Sequence, residues 1–223
     1  MEGQRYKIAV LGGTGAQGNG LALRLAGAGH AVTIGSRDAA RARAAAAELA
    51  ARGNHTIAGS DNRAACEGAE IAILTVPYSA QRATVQEVRG QLAGKILIDA
   101  TVPLAPPKVG TVQLPGGRSA VAAIQELVGA DVRVVSAFQN VAATHLSDLA
   151  HEVECDVLVC GDDRPACEIA IGLCADMGLR GLYAGPIANS AAAEALTSVL
   201  ITINRRYKVP GGAGIRITRI PQT

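Results

Sequence analysis

Aromatic side chains are almost missing from this chain: among 223 residues there are four Tyr, one Phe and no Trp. A core without rings has to be built from Ala, Val, Leu and Ile, and a 49% hydrophobic content supplies them. Such residues suit strands covered by helices on both faces, and this content argues against disorder. The same scarcity removes the stacking platform that single-stranded nucleic acid requires. With a net charge of +2 and no basic stripe, nucleic acid is not an expected partner. No CxxC pair occurs. Cys66, Cys155, Cys160, Cys167 and Cys174 are odd in number and loosely spaced, which suits buried thiols better than disulfides or zinc, so no metal site is expected. No apolar run reaches membrane-spanning length, and the polar start Met1–Lys7 lacks a signal-peptide core. The expectation is a soluble, cytoplasmic protein with no membrane partner.

What is present is alternation. Lys7–Leu11, Ala31–Gly35, His55–Gly59, Ile71–Val76 and Lys95–Ala100 read as strands. Between them, Asn19–Ala28, Ala39–Ala51, Asp61–Glu67 and Gln81–Gln91 read as helices. Repeated strand–helix units predict an α/β chain with a doubly wound parallel sheet, its ligand edge at the strand C-termini. Val102–Gly117 holds most of the Pro and Gly punctuation and reads as a long loop at that edge. Beyond it come a helix at Ser119–Val128, strands at Val132–Ala137 and Asp156–Cys160, a helix at Pro165–Met177 and a strand at Leu179–Ala184. An apolar helix at Ser190–Asn204 and a terminal strand at Gly214–Ile220 complete the pattern. Residues 1–150 are expected to form a nucleotide-binding domain, with 151–223 as a smaller α/β part packed on it. Ala191–Ile203 is hydrophobic almost all round, which predicts deep burial or a homodimer interface.

Gly13-Thr14-Gly15-Ala16-Gln17-Gly18 matches GxGxxG between a predicted strand and a predicted helix, the context of the Rossmann dinucleotide fingerprint. The first Gly permits the tight turn, the second lets backbone approach a pyrophosphate, and the third lets helix pack on strand. An NAD-preferring domain carries an acid at the end of the second strand. Here that strand ends Gly35-Ser36-Arg37, with Arg41 one turn on. A hydroxyl and two guanidinium groups suit the 2′-phosphate of NADP(H). Asp38 is the acid that a small shift would bring to the same place.

With these marks the chain resembles the NADPH-dependent reductases of the deazaflavin coenzyme F420. The resemblance runs through Val10–Gly15, Gly20–Leu25, Gly35–Arg37, Ala72–Pro77, Val134–Ala137, Val159–Asp163, Ala184–Pro186 and Gly214–Ile217, and so covers nearly the whole chain. It implies an oxidoreductase in which a hydride passes directly between NADP(H) and coenzyme F420. It also implies that, within the cofactor-binding turn Gly13 to Gly18, Thr14, Gly15, Ala16 and Gln17 contact the NADP phosphates, and that Ser36, Arg37 and Arg41 hold the 2′-phosphate. Val76, Ala80, Val102, Ala143 and Ala213 would line the nicotinamide side. Gln139 departs from the family pattern, in which His or Asn is expected after this strand. The acidic tail of the coenzyme would favour basic residues, with Arg118 and the run Arg205, Arg206, Lys208 as candidates; a solvated helix end suits the run equally well.

No nucleophile–base pair, carboxylate pair or YxxxK arrangement is evident, so no catalytic side chain is assigned. His30 and His55 precede strands on the far edge, and His145 lies on a helix near the active edge. Tyr78 and Tyr183 are the tyrosines placed near it. Two other readings share the pattern: an NADPH-dependent flavin, ferric or small-substrate reductase, and a non-catalytic NADP-sensing protein.

Overall fold

The computed structural model describes residues 4–53, 55–150 and 152–220; His151 lies outside them. Eight strands form one sheet: β1 (Lys7–Leu11), β2 (Ala31–Ser36), β3 (Ile57–Asp61), β4 (Ile71–Leu74), β5 (Ile96–Asp99), β6 (Arg133–Ser136), β7 (Asp156–Gly161) and β8 (Arg180–Tyr183). Their order is β3-β2-β1-β4-β5-β6-β7-β8. The first six are parallel, in the doubly wound order whose direction reverses between β1 and β4. β1 is buried at every position after Lys7, and β4 and β5 throughout, as central parallel strands require.

The helices are α1 (Ala16–Gly27), α2 (Ala39–Gly53), α3 (Asn62–Glu67), α4 (Tyr78–Leu92), α5 (Ala120–Val128), α6 (Ala143–Ser147), α7 (Arg164–Asp176) and α8 (Ser190–Tyr207). One apolar cluster joins α1, α2, α6 and α7 to one sheet face; another joins α3, α4 and α5 to the other. α1 begins at Ala16, three residues before the sequence signal, because Gly18 and Gly20 mask its helical start. Both glycines are contact points: a Cβ at Gly20 would stand 2.5 Å from Leu146 Cβ on α6. Arg24, buried on α1, donates to the carbonyls of Leu146 (2.9 Å), His145 (2.9 Å), Asp148 (2.6 Å) and Met177 (3.1 Å), and so fixes the ends of α6 and α7.

Three expectations need correction. The sheet is not wholly parallel: after β6 the chain docks α6 on α1 and enters β7 antiparallel to β6. Gly214–Ile220 is not a strand. The Asp156 N–H donates to the Ile215 carbonyl (2.8 Å), while the Asp156 carboxylate accepts from the Ile217 N–H (2.6 Å). A side chain thus occupies the place of the next ladder bond. Finally, α8 is not apolar all round, since Ser190, Glu194 and Ser198 are buried while Val199 is 46% exposed.

Candidate active site

The turn after β1 is shaped by two close approaches. Gly12 adopts φ 76°, and a Cβ there would stand 2.7 Å from Val76 Cγ1. A Cβ at Gly18 would stand 2.6 Å from both Gly13 Cα and Thr75 Oγ1. Only glycine fits either place, so β1, α1 and the end of β4 can close on one another. The first turn of α1 then faces the sheet edge, where its N–H groups and helix dipole favour an anion. Gln17, in this first turn, donates from its Nε2 to the Phe138 carbonyl at 2.9 Å.

A cleft of about 1080 Å³ runs along the strand C-termini. Thr14, Gly15, Ala16 and Gln17 line one end, with Ser36, Arg37 and Arg41 beside them. Val76, Ala80, Val102 and Ala143 line its apolar wall, together with Pro77, Leu104 and Val141. Gly13 and Gly18 lie behind the turn and do not line the cleft. Asp38 does not line it either. Its Oδ1 accepts from the N–H groups of Ala40 (2.9 Å) and Arg41 (3.1 Å), so it caps the first turn of α2. The Ser36 and Arg41 side chains and the Arg37 guanidinium therefore border the cleft without an acid among them.

Under the cleft floor lies Asp99, fully buried at the end of β5. Burial pushes its carboxyl above the usual carboxylate range, against hydrogen bonds from Thr101 and Gln81. Gln81 Nε2 donates to the carboxylate at 2.7 Å and the Thr101 N–H at 2.8 Å. Gln139 Nε2 donates to the Asp99 carbonyl (2.7 Å), and the Thr197 hydroxyl of α8 donates to the Gln139 carbonyl (2.8 Å). Gln139 and Thr197 both line the cleft.

Other candidates sit elsewhere. Ala213 lines a separate cavity of about 470 Å³ with His145, Glu152, Glu154 and Cys155; its N–H donates to Asn204 Oδ1 (2.6 Å). The His145 ring nitrogen Nε2 meets the Gly212 carbonyl at 3.0 Å. Tyr78 lines the main cleft, whereas Tyr183 lies under the Arg164 guanidinium, 3.7 Å from its ring centre. Arg118 pairs with Glu126. Arg205, Arg206 and Lys208 are exposed at the end of α8 and do not line the cleft. Asn62, Thr75, Gln139 and Thr197 are cleft residues that motif reading did not assign. The strand-end rule would have found the first three; Thr197 arrives from a distant helix and has no local signal.

A glycine turn at a helix N-terminus, a basic strand end beside it and an apolar wall across the switch point define a dinucleotide-binding Rossmann protein. Residues 7–103 match the family model described as NADP oxidoreductase, coenzyme F420-dependent. The chain is 44% identical to the F420-dependent NADP reductase of Methanothermobacter marburgensis, covering 97% of this chain and 100% of that protein. It is 40% identical to that of Methanocaldococcus jannaschii, covering 96% and 99%. This chain belongs to the F420-dependent NADP reductase family. A solved structure from Arthrobacter sp. FB24, provisionally assigned to the same family, superposes with a TM-score of 0.79 at 26% identity, covering 96% of this chain and 100% of that one. An Aspergillus terreus reductive aminase, at 20% identity and a TM-score of 0.59 over 92% of this chain and 63% of its own, shares the fold.

Proposed function

We propose that this protein transfers a hydride directly between NADP(H) and the deazaflavin coenzyme F420. One observation carries the reading. Among the described residues lining the cleft, the ionisable side chains are Arg37, Arg41 and Tyr78. Such a cleft has charge where a phosphate must be held and an apolar wall where two flat rings must meet. When bound, the two coenzymes supply both reactive centres, so the protein contributes orientation and exclusion of water.

Each part of the chain has a task in this reading. The first turn of α1 neutralises the pyrophosphate. Ser36, Arg37 and Arg41 hold the 2′-phosphate through charge-assisted hydrogen bonds. Val76, Ala80, Val102 and Ala143 keep the rings flat and dry. Gln139, locked to Asp99 and Thr197, keeps the ends of β5 and β6 and helix α8 in fixed relation. Residues 1–150 bind NADP(H), and residues 151–223 complete the acceptor side through α8. Gly13 and Gly18 act through the shape of the turn, and Ala213 acts from the tail.

The chain acts as a cytoplasmic homodimer, in this proposal. No helix among the described residues is long and apolar enough to cross a membrane. Ala192, Val199 and Thr202 are exposed along one side of α8, a stripe that a second copy can cover; light scattering of the purified protein reads the mass directly.

The deciding assay mixes the protein with NADPH and follows the visible absorbance of oxidised F420, then repeats the run with FMN, FAD and a ferric chelate. Bleaching of F420 supports the proposal. Reduction of the flavins or the chelate alone overturns it, and NADPH binding without reduction of any acceptor supports a sensor instead. Tyr78→Phe should leave the rate unchanged, because no side-chain proton donor is needed.

A further inference from the structure

The ribose that carries the 2′-phosphate also carries the base. Whatever lies beside Ser36 and Arg37 therefore meets the base edge. Asn62, at the start of α3 directly after β3, is that neighbour. It lines the cleft yet is only 2% exposed. Its Oδ1 lies beside the end of strand β2: a Cβ at Gly35 would stand 3.1 Å from it. Its Nδ2 donates to Glu87 Oε2 on α4 at 3.1 Å, whereas Oδ1 has no hydrogen-bond partner. Buried polar atoms are nearly always partnered, and an orphan calls for an explanation.

The Glu87 carboxylate sets which way the amide faces. Turning the amide over would bring Oδ1 against a carboxylate that only accepts, so the oxygen is held away from Glu87. Asn62 thus holds a buried, unpartnered acceptor beside the end of β2, next to the Ser36 and Arg37 end of the cleft. Thr84, one helical turn before Glu87 on α4, is 5% exposed and lines the same cleft.

We propose that Asn62 reads the base of the dinucleotide, its Oδ1 accepting a hydrogen bond from the exocyclic amine of adenine. This rests on the NADP(H) reading and adds to it a choice of base, with Glu87 as the residue that positions the amide. A base carrying an oxo group at that place would set oxygen against oxygen and leave Oδ1 unpaired, which is how a buried acceptor discriminates.

The test compares NADPH with its hypoxanthine analogue, deamino-NADPH, in which an oxo group replaces the amine. Dissociation constants are read from the fluorescence of the reduced nicotinamide, without any acceptor. Wild-type protein should bind deamino-NADPH roughly tenfold more weakly. Asn62→Ala should weaken NADPH and bring the two constants to within about twofold. Glu87→Gln, which lets the amide turn over, should narrow the gap as well and serves where Asn62→Ala fails to fold. Equal affinities in the wild type overturn the inference, and so does a gap that either folded variant leaves intact. Failure of the wild type to bind either dinucleotide overturns the NADP(H) reading itself, a result distinct from equal binding.

Discussion

Gln17 in the glycine turn donates its side-chain amide to the carbonyl of Phe138, 2.9 Å away across 121 residues of sequence. Phe138 follows β6, is fully buried, and is held at φ 73°, a conformation that bulky residues rarely adopt and that persists only where the surroundings impose it. The bond ties the glycine-turn end of the cleft to the turn that carries Gln139 and Val141. Replacing Gln17 with Leu should cost about 1 kcal/mol of stability. It should also lower kcat/KM about fivefold with both coenzymes, because the two halves of the cleft lose their shared reference. Chemical denaturation and steady-state kinetics read the two effects separately. An unchanged kcat/KM would show that the tie has no part in catalysis.

Arg37 and Arg41 give a test of cofactor choice. Arg37 is exposed and lines the cleft, while the carboxylate of neighbouring Asp38 caps α2 and does not line it. Arg37→Asp replaces a guanidinium with a carboxylate at the proposed 2′-phosphate site. NADPH affinity should fall by about tenfold or more, the weight of a hydrogen bond to a charged group, while NADH affinity changes little. Equal losses for both would remove Arg37 from the 2′-phosphate site.

The difference between what could and could not be read from the sequence follows from distance along the chain. Gly12–Gly18, Ser36 and Arg37 are legible in position because turn, helix start and strand end are local features. The doubly wound order of β1 to β6 is equally legible, since alternating periods dictate it. The reversal at β7 is not, because it depends on Arg24 and Gly20 fixing α6 against α1. The Gly214–Ile220 segment has the apolar alternation of a strand, but its backbone partner is taken by the Asp156 carboxylate. Asn62 and Gln139 follow strand ends and fall under the same rule, whereas Thr197 joins the cleft through a bond to the Gln139 carbonyl 58 residues away, for which one sequence carries no pattern.

Asp156 gives the tail an acid-sensitive anchor. Burial alone would raise its pKa. Arg180, gripping both oxygens at 2.7 and 2.6 Å, together with the Ile217 N–H and the Arg216 charge, outweighs that and holds the carboxyl below the usual range. A carboxyl whose folded pKa lies below its unfolded value of about 3.9 binds its proton more weakly when folded. Its stabilising contribution is present above that value and is lost as pH falls through the folded pKa. Asp156→Asn should therefore lower Tm at neutral pH by several degrees and flatten the acid limb of the stability curve below about pH 4. A variant whose Tm runs parallel to the wild type down to pH 2 would show that the anchor does not titrate there.

Glu194 behaves in the opposite sense. It is buried on α8, and its carboxylate accepts from the Ser119 hydroxyl (2.5 Å) and the N–H groups of Ala120 (2.8 Å) and Val121 (3.2 Å), closing the N-terminus of α5. Burial, the largest influence, raises its pKa despite these donors. The folded state then holds the proton more tightly, so its contribution is fully present below the ordinary Glu value and is lost as pH rises through the raised one. Glu194→Gln keeps an acceptor oxygen but cannot titrate, so its stability should not decline across that window as the wild type's does. Glu194→Ala leaves the α5 donors short of a partner and should cost about 2 kcal/mol. Thr197 lies one turn further along α8 and holds the Gln139 carbonyl, so the Ala variant should also raise KM for the F420 acceptor while NADPH affinity stays near that of the wild type. Kinetics with each coenzyme varied in turn separates these effects, and a loss confined to NADPH would place the influence of α8 on the wrong side of the cleft.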